Sequence, residues 1–326
     1  MKYAGNVFEG IIMKVYISDI EYVTGEKKKI ECLICAEISE KKLQLFKKAG
    51  LEYYAECPEG IYYLGEKTAE KTLRYKENNI KEIMFTTGSF HNQPYPYNRI
   101  DEIRKLNKLL GNLKLDGFPY GIYLSDCSNL ITAIKIGKNS LTDDPAKEIL
   151  VITTDKVGES ESRIVPPGST IKSDGAASCI LSSAPKGKCF EILEIKQFHN
   201  HKLIGDEDVT YENYAGEFTK CLDFVKNKIW LENSMNYKYV LVNNYSMNYV
   251  KSLSVQLKIS LDLIYTDQIS AHAHCFSSDL LINIFHLLKE GKLVHGDTLL
   301  GVTSGLSSIS SISFRYVDNL AFSEQE

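Results

Sequence analysis

Amphipathic helix patterns alternate with short apolar strand patterns along this chain, and the alternation occurs twice in a similar order. The helix-then-strand pattern of residues 68–87 resembles that of residues 211–243. The strand region 144–156 resembles the region 291–304 in the same way. Short strands that alternate with helices predict largely parallel, buried sheets. A single repeat of this order predicts two related α/β halves packed together, since a solenoid needs many repeats.

Apolar residues at helical or strand spacing define the elements of both halves. The helix patterns cover residues 68–79, 99–113, 128–136, 211–232, 247–257 and 278–289, and the apolar strand runs cover 82–87, 148–153, 239–242 and 299–302. No low-complexity linker separates the two halves. We expect the first half to span residues 1–185 and the second half to span residues 186–326.

Composition limits the classes of protein to which the chain can belong. Its 326 residues include 38 Lys and Arg against 42 Asp and Glu, a formal net charge of −4, and 44% are hydrophobic. These values are typical of a soluble globular protein, and they lack the basic stripe of a nucleic-acid-binding protein. No apolar run approaches the ~20 residues that span a bilayer, and the N-terminus lacks a signal-peptide core. We therefore expect a cytoplasmic protein without a membrane span.

Eight cysteines are scattered through the chain, which is typical of reduced thiols in a cytoplasmic protein. Cys32 and Cys35 form a CxxC pair without a second pair or a neighbouring histidine, so a zinc or redox role is the less common outcome. The sequence contains no GxGxxG, GxxxxGK[ST] or HExxH motif. We expect no metal, nucleotide or flavin cofactor.

Cys127 is the candidate nucleophile. The apolar strand pattern of residues 121–124 ends in Ser-Asp-Cys, and a helix pattern begins directly afterwards. A thiol at a helix N-terminus has its thiolate stabilised by the helix dipole and by free N–H groups. Such a thiolate is suited to acyl transfer. The alternative is a small buried residue in a strand-to-helix turn, which is the more common role for a cysteine taken alone.

Three further segments have small or polar residues beside predicted elements. Residues 173–178 form a small-residue turn before an apolar strand at 179–182. Residues 273–278 lead into a helix, and the strand within 296–305 ends in a Gly/Ser-rich loop. Each segment alone predicts only a turn, so their order and spacing carry the information.

Together these segments resemble the thiolase superfamily, most closely its beta-ketoacyl-[acyl-carrier-protein] synthase III branch. The reactive cysteine of that family corresponds to Cys127, its DGAAA turn to residues 174–178, and its C-terminal helix, strand and glycine loop to residues 279–305. The resemblance runs from about residue 68 onward. It implies a thiolase-like five-layer α-β-α-β-α fold built from two duplicated halves, and usually a homodimer.

The resemblance also implies a mechanism in which the cysteine takes an acyl group from a coenzyme A or carrier-protein thioester and passes it to a carbon nucleophile. A His and an Asn of the family hydrogen-bond the thioester oxygen. In this sequence the His-Gln-Ala-Asn motif reads Asn-Asn-Tyr-Ser, so Asn243 stands at the family histidine. The Gly-Asn-Thr motif reads Ala-His-Cys, so His274 stands at the family asparagine. The two side chains have exchanged places.

This exchange retains one titratable group beside the thiol. A neutral His274 can take the proton of Cys127 or of an incoming acceptor, whereas Asn243 offers only fixed hydrogen bonds for an orienting or oxyanion role. His272 is the rival base. Counting back from Gly296 favours His274 at the family position.

The glycine loop and the donor-binding residues depart from the family pattern. Gly305 is the glycine that remains in a loop where relatives carry two or three, and we expect it to hold this loop near an oxyanion site shared with the N–H of Cys127. The coenzyme A-binding arginine and tryptophan have no match, since Trp230 lies in a predicted helix. We therefore favour a carrier-protein-bound or dedicated acyl donor, and Lys251 is a candidate contact for an acidic carrier.

The sequence thus predicts an acyl-thioester transferase or condensing enzyme that forms an acyl-cysteine at Cys127. The alternative is a non-catalytic thiolase-fold partner subunit of a heteromeric synthase, for which the altered glycine loop is the argument. A thioesterase-like hydrolase is a third reading, in which water replaces the acceptor.

Overall fold

The structure is a computed structural model that describes residues 13–34, 37–74, 79–89, 99–165, 169–203, 211–227 and 236–319. Its strands are β1 (Tyr16–Thr24), β2 (Glu26–Lys29), β3 (Tyr53–Glu56), β4 (Ile80–Thr86), β5 (Phe118–Ile122), β6 (Glu148–Asp155), β7 (Ile164–Val165), β8 (Thr170–Ile171), β9 (Gly175–Ser182), β10 (Lys188–His199), β11 (Tyr239–Val242), β12 (Ile264–Tyr265), β13 (Thr298–Ser304) and β14 (Ser308–Asp318). Its α-helices are α1 (Glu40–Lys48), α2 (Ile61–Thr72), α3 (Arg99–Asn112), α4 (Asn129–Asp143), α5 (Tyr211–Val225), α6 (Met247–Leu257), α7 (Ile269–His272) and α8 (Asp279–Lys289).

Ten of these strands form two sets of five with the same topology. The order across the sheet is β12-β11-β13-β14-β10-β1-β9-β6-β4-β5, and the halves meet where β1 pairs with β10 at Tyr16–Glu191 and Ile17–Phe190. In chain order, the strands of each set are arranged first, fifth, fourth, second, third. The first two pairings of each set are antiparallel and the last two are parallel. This identity of order and direction confirms the duplicated halves.

The expectation of largely parallel sheets is therefore wrong, since five of the nine pairings in the ten-stranded sheet are antiparallel. Helical crossovers through α3 and α4 keep β4, β5 and β6 parallel, but β13 and β14 are joined by the short turn at residues 305–307, which permits only an antiparallel pair. The alternation of helices and strands predicts the parallel pairs, but it does not reveal the connections that contain no helix.

The fold has five layers, with α4 and α8 between the two strand sets. Six consecutive residues of α8, Asp279–Ile284, are buried, as expected for a helix covered on all sides. The apolar residues of α4 and α8 belong to one core cluster with the inner faces of β1, β6, β9 and β14. Helices α2 and α3 cover the outer face of the first set, and α5 and α6 cover the outer face of the second. The thiolase-like fold expected from the sequence is confirmed.

Several element boundaries differ from the sequence-based expectation. Helix α6 and strand β11 have the predicted bounds, but α2 covers 61–72 instead of 68–79, because Leu64, Thr68 and Ala69 define its buried side. The predicted turn at 173–178 is shorter, since β9 begins at Gly175 and pairs with β1. The predicted helix end at 232 lies outside the described residues. The boundary at residue 185 stays a prediction and falls in the connection between β9 and β10.

Within the described ranges, no helix has both the length and the apolar character needed to cross a membrane.

Candidate active site

Cys127 lies in a single 3-10 turn, Asp126–Ser128, that connects the strand β5 region to helix α4. The backbone N–H of Ser125 donates to Asn129 Oδ1 over 2.9 Å, which ties the start of the turn to the first residue of α4. Asp126 has a φ of 45°, in the left-handed region that a non-glycine residue adopts only under constraint. The turn therefore holds the cysteine in a fixed, strained position.

The side chains of Cys127, His274 and Asp279 form a connected triad. Cys127 Sγ lies 3.3 Å from His274 Nε2, and His274 Nδ1 lies 2.6 Å from Asp279 Oδ2. All three side chains are buried. The first half supplies the thiol and the second half supplies the imidazole and the carboxylate, so the triad forms across the interface between the halves.

The backbone of His274 is fixed by the segment that follows strand β8. Its N–H donates to Ile171 O over 3.0 Å, and its carbonyl accepts from the N–H of Ser173 over 2.8 Å. The flanking residues Ala273 and Phe276 have φ angles of 51° and 52°. The imidazole is thus held by a bridge to a neighbouring strand and by a constrained local backbone.

Backbone N–H groups donate hydrogen bonds to both carboxylate oxygens of Asp279. Its Oδ1 accepts from the N–H of Cys275 over 2.7 Å, and its Oδ2 accepts from the N–H of Asn244 over 2.8 Å. As the first residue of α8, it lies where the helix dipole favours a negative charge. Sequence reasoning did not identify Asp279 as a site residue, because an acidic residue in the first helical turn is a common capping feature and no distinguishing signal.

Asn243 follows β11 and connects two loops of the site. Its Oδ1 accepts from the N–H of Ser304 over 3.0 Å, and its Nδ2 lies 3.4 Å from the carbonyl oxygen of Phe276. These contacts join the end of β13 to the turn that precedes α8. They are supporting contacts, so the orienting or oxyanion role expected of Asn243 stays a prediction.

Gly305 brings the turn between β13 and β14 against the turn of the cysteine. A Cβ at this position would lie 2.7 Å from Ser125 O and 3.1 Å from Asp126 Cβ. The N–H of Gly305 donates to Ser308 O over 2.9 Å, and the N–H of Leu306 donates to Asp126 Oδ2 over 3.2 Å. The absence of a side chain is thus required by close packing, and the predicted contribution to an oxyanion site stays a prediction.

Burial raises the pKa of the Cys127 thiol well above its usual range, and the charges of Asp155, Asp126 and Asp279 raise it further. The sequence-based expectation was a thiolate stabilised by a helix N-terminus. The structure differs because α4 begins two residues after the cysteine, and because the thiol is desolvated among carboxylates. Both effects favour the neutral thiol over the thiolate.

Asp155 is a buried carboxyl at the end of β6, and its charge is one of those that raise the pKa of the Cys127 thiol. Its Oδ1 accepts hydrogen bonds from the N–H of Gly88 at 2.6 Å and from the hydroxyl groups of Ser89 and Thr87 at 3.0 and 3.2 Å. Burial raises its pKa to about 7 in spite of these donors. The sequence pattern does not single out this residue, which lies two positions beyond the predicted strand run 148–153.

Tyr245 is a further unpredicted residue of the site. Its ring centroid lies 4.7 Å from that of His274 and 4.6 Å from that of Tyr249. Burial raises the pKa of the Tyr245 phenol well above its usual range, and the neighbouring Cys127 raises it further. In the aligned family motif this position is an alanine, so the ring adds bulk directly beside the triad.

The remaining sequence candidates lie elsewhere. His272 contacts the hydroxyl of Tyr22 through its ring, at 3.5 Å, while burial lowers its pKa to about 4. Lys251 is exposed on α6, and Cys32 is an exposed free thiol. Cys35 and Trp230 lie outside the described residues, so the CxxC pair stays untested.

No protein-family model matches the chain. No curated protein matches it either. Among solved structures it is similar to ChlB3, named an acyltransferase, with a TM-score of 0.77, 16% identity and coverage of 94% of this chain and 98% of that one. The 3-oxoacyl-[acyl-carrier-protein] synthase III from Aquifex aeolicus VF5 gives a TM-score of 0.73, 16% identity and coverage of 93% and 100%. AbyA1, a tetronic acid condensing enzyme, gives a TM-score of 0.69 and 14% identity, with coverage of 92% of this chain and 99% of that one. The chain therefore has the fold of the synthase III-like condensing enzymes.

Proposed function

We propose that this protein is an acyl-thioester transferase or condensing enzyme that forms an acyl-cysteine at Cys127. The observation that carries the proposal is the buried triad, in which His274 contacts the thiol at 3.3 Å and Asp279 at 2.6 Å. Nucleophile, base and orienting carboxylate are in the arrangement that activates a neutral nucleophile. The acyl-transferring and condensing enzymes among its structural neighbours support the same reaction class.

In the first half-reaction, His274 Nε2 accepts the proton of Cys127 as the sulfur attacks the thioester carbonyl. A carbon–sulfur bond to Cys127 forms and the carbonyl oxygen becomes an oxyanion. Collapse of this intermediate breaks the bond to the donor sulfur, which leaves with the proton from His274. Asp279 holds the imidazole with its proton on Nδ1 and stabilises the imidazolium.

The second half-reaction uses the same base. The acceptor attacks the acyl-cysteine as it loses a proton to His274, and the thiol of Cys127 is restored when that proton returns. The N–H of Cys127 is the candidate oxyanion donor, because the turn before α4 fixes its direction. Asn243 supports this site through its hydrogen bond to the N–H of Ser304.

A coenzyme A or carrier-protein thioester is the proposed acyl donor, as in the family that the sequence resembles. The cysteines in the described part of the chain are free thiols, which fits the reducing cytoplasm in which we place the protein. The aligned triad argues against the non-catalytic partner subunit, because such a subunit has no need of a connected thiol, imidazole and carboxylate.

Intact-protein mass spectrometry after incubation with a panel of coenzyme A and carrier-protein thioesters tests the proposal. We expect a mass gain of one acyl group in the wild type and in Cys57→Ala, a control at another buried cysteine, but not in Cys127→Ala. No adduct with any thioester would contradict the proposal. The lifetime of the acyl-enzyme distinguishes a hydrolase from a transferase. When water is the only acceptor present, the acyl-enzyme of a hydrolase is short-lived and that of a transferase persists.

A further inference from the structure

We propose that Tyr245 is the residue that limits the length of the acyl group at Cys127. This inference rests on the proposed function and adds a substrate class, namely short acyl groups. The ring of Tyr245 lies between the catalytic imidazole and a small apolar cavity. Removal of the ring would extend that cavity towards His274 and the thiol.

The position of the ring follows from its contacts on both faces of the site. Its centroid is 4.7 Å from the centroid of His274 on one side and 4.6 Å from that of Tyr249 on the other. Tyr249 and Tyr245 both line the cavity, whereas His274 does not. Tyr245 is therefore the residue that contacts the triad and also lines the cavity.

The cavity itself is apolar and nearly filled. Its other lining residues come from α5, α6, β11, β13 and β14, and most carry aliphatic or aromatic side chains: Phe218, Leu222, Val242, Leu253, Val302 and Ile309. The free space is about 10 Å³, which is room for about one water molecule. An acyl chain that extends in this direction meets the ring of Tyr245 first, and the cavity walls have the chemistry to bind it once the ring is gone.

The backbone that carries the ring is fixed by hydrogen bonds. Its backbone follows Asn243, whose side chain is bonded to the N–H of Ser304, and the N–H of Tyr245 donates to Asn243 O over 2.7 Å. The adjacent N–H of Ser246 donates to Ser169 O over 2.8 Å. A wall fixed in this way selects by size, because each methylene admitted to or excluded from a hydrophobic site changes the rate by about 10-fold or more.

The test compares two series of probes on Tyr245→Ala, Tyr245→Phe and Tyr245→Leu. The first series is acetyl to octanoyl thioesters, read as acyl-enzyme by intact mass. The second is methyl to octyl methanethiosulfonates, in which Cys127 sulfur attacks the thiosulfonate sulfur, a mixed disulfide forms and methanesulfinate leaves. The second series measures space at the thiol and needs no acyl transfer. Tyr249→Ala is the control for enlargement of the cavity with the wall in place.

We expect Tyr245→Ala to raise the octanoyl-to-acetyl rate ratio of the thioesters and the octyl-to-methyl rate ratio of the thiosulfonates, each at least about 10-fold. Tyr245→Phe and Tyr249→Ala should keep the wild-type ratios. Tyr245→Leu should give intermediate ratios, and it serves as the test if Tyr245→Ala does not fold. A wild-type ratio in every folded Tyr245 variant would overturn the inference. A changed ratio with the thiosulfonates but no reaction with any thioester would support the wall and contradict the proposed function.

Discussion

At the scale of single residues, the proposed chemistry uses a thiol whose environment favours the neutral form. Burial and three carboxylates raise the pKa of Cys127, so the proposed mechanism requires proton transfer to His274. The carboxylate of Asp279 makes this transfer favourable, because it faces the imidazolium that results, at 2.6 Å. In this mechanism His274 and Asp279, and not a helix N-terminus, activate the thiol.

Removal of the base is the first prediction at this scale. We expect His274→Ala to slow acylation of Cys127 by about 10²–10⁴-fold, the usual contribution of general base catalysis. The measurement is the single-turnover rate of acyl-enzyme formation. His272→Ala is the matched control, since that ring contacts Tyr22 on β1, and it should retain the wild-type rate. Equal losses in both variants would contradict the assignment of His274 as the base.

The carboxyl of Asp155 gives a prediction about pH. Its negative charge raises the pKa of the Cys127 thiol. Asp155→Asn keeps an oxygen for the N–H of Gly88 and removes the charge, so the pKa of Cys127 should fall. The midpoint of the pH profile for alkylation of Cys127 by iodoacetamide should therefore move to lower pH. An unchanged midpoint would show that the two groups are not coupled.

The same substitution has a consequence for stability with a defined sign. The pKa of Asp155 rises from its ordinary value of 3.8 to about 7 in the folded protein. Between these values the folded state binds more protons, so the free energy of unfolding falls as pH rises, with a slope of up to about 1.4 kcal/mol per pH unit. Asp155→Asn should lose this slope, which urea unfolding at either end of the window measures.

The sequence identified two of the three triad residues as candidates, and the reason for the difference is physical. Cys127 and His274 occupy positions with a recognisable local pattern. Asp279, Asp155 and Tyr245 acquire their significance only from contacts between segments that are distant in the chain. Contacts between distant segments, and the burial that they cause, leave no periodic pattern in a single sequence.

At the scale of elements, the segment that holds His274 depends on a buried ion pair. The guanidinium of Arg163 donates to both carboxylate oxygens of Asp174, each over 3.0 Å, and Asp174 also accepts from the N–H groups of Cys57 and Val157. The N–H of Ser173, the residue before Asp174, donates a hydrogen bond to the carbonyl of His274. The pair thus fixes the segment between β8 and β9 against which the backbone of His274 is held.

Removal of one partner should be costly, because the other charge is left buried. We expect Arg163→Met to lower the free energy of unfolding by about 3–5 kcal/mol. The exposed pair Lys67–Glu70 is the control, and Lys67→Ala should cost less than about 1 kcal/mol. Urea denaturation measures both, and similar small losses would show that the buried pair is dispensable.

The turn at Gly305 gives a second prediction for an element. A methyl group there would collide with Ser125 O at 2.7 Å, and the nucleophile turn would have to move. A displacement of about 1 Å costs a reaction about 100-fold in rate, so we expect Gly305→Ala to slow alkylation and acylation of Cys127 by about that factor. Gly111→Ala is the control, because its Cβ meets nothing within 4 Å, and its rate should be unchanged.

At the scale of the whole molecule, duplication explains where the site lies. Helices α4 and α8 are equivalent elements of the two halves, and each is preceded by a single 3-10 turn. The two turns contact each other through the hydroxyl of Ser277, which donates to Asp126 O over 2.8 Å. Cys127 lies in one turn, and Asp279 directly follows the other. A duplicated fold thus brings two helix N-termini together, and sequence divergence gives them different chemical roles.

The duplication leaves β5 at one end of the ten-stranded sheet, and this edge is where we expect the homodimer implied by the resemblance to form. Only β4 pairs with β5 in the described part of the chain. Phe118 and Tyr120 are 65% and 40% exposed on this strand, and Leu124 beyond it is 83% exposed. An exposed edge with large apolar side chains is a site for association. Antiparallel pairing of β5 with its own copy would satisfy the edge and bury these side chains around a two-fold axis.

Tyr120 is the central residue of β5, so a two-fold axis through this strand would place the two copies of Tyr120 beside each other. We expect the wild type to have twice the chain mass of 36.8 kDa in light scattering coupled to size-exclusion chromatography. Tyr120→Asp puts like charges face to face across the axis and should yield a monomer. Val255→Asp, at an exposed position on α6, is the control and should remain dimeric. A monomeric wild type would contradict the dimer, and a dimeric Tyr120→Asp would move the interface away from β5, because two carboxylates cannot both be buried there without a partner.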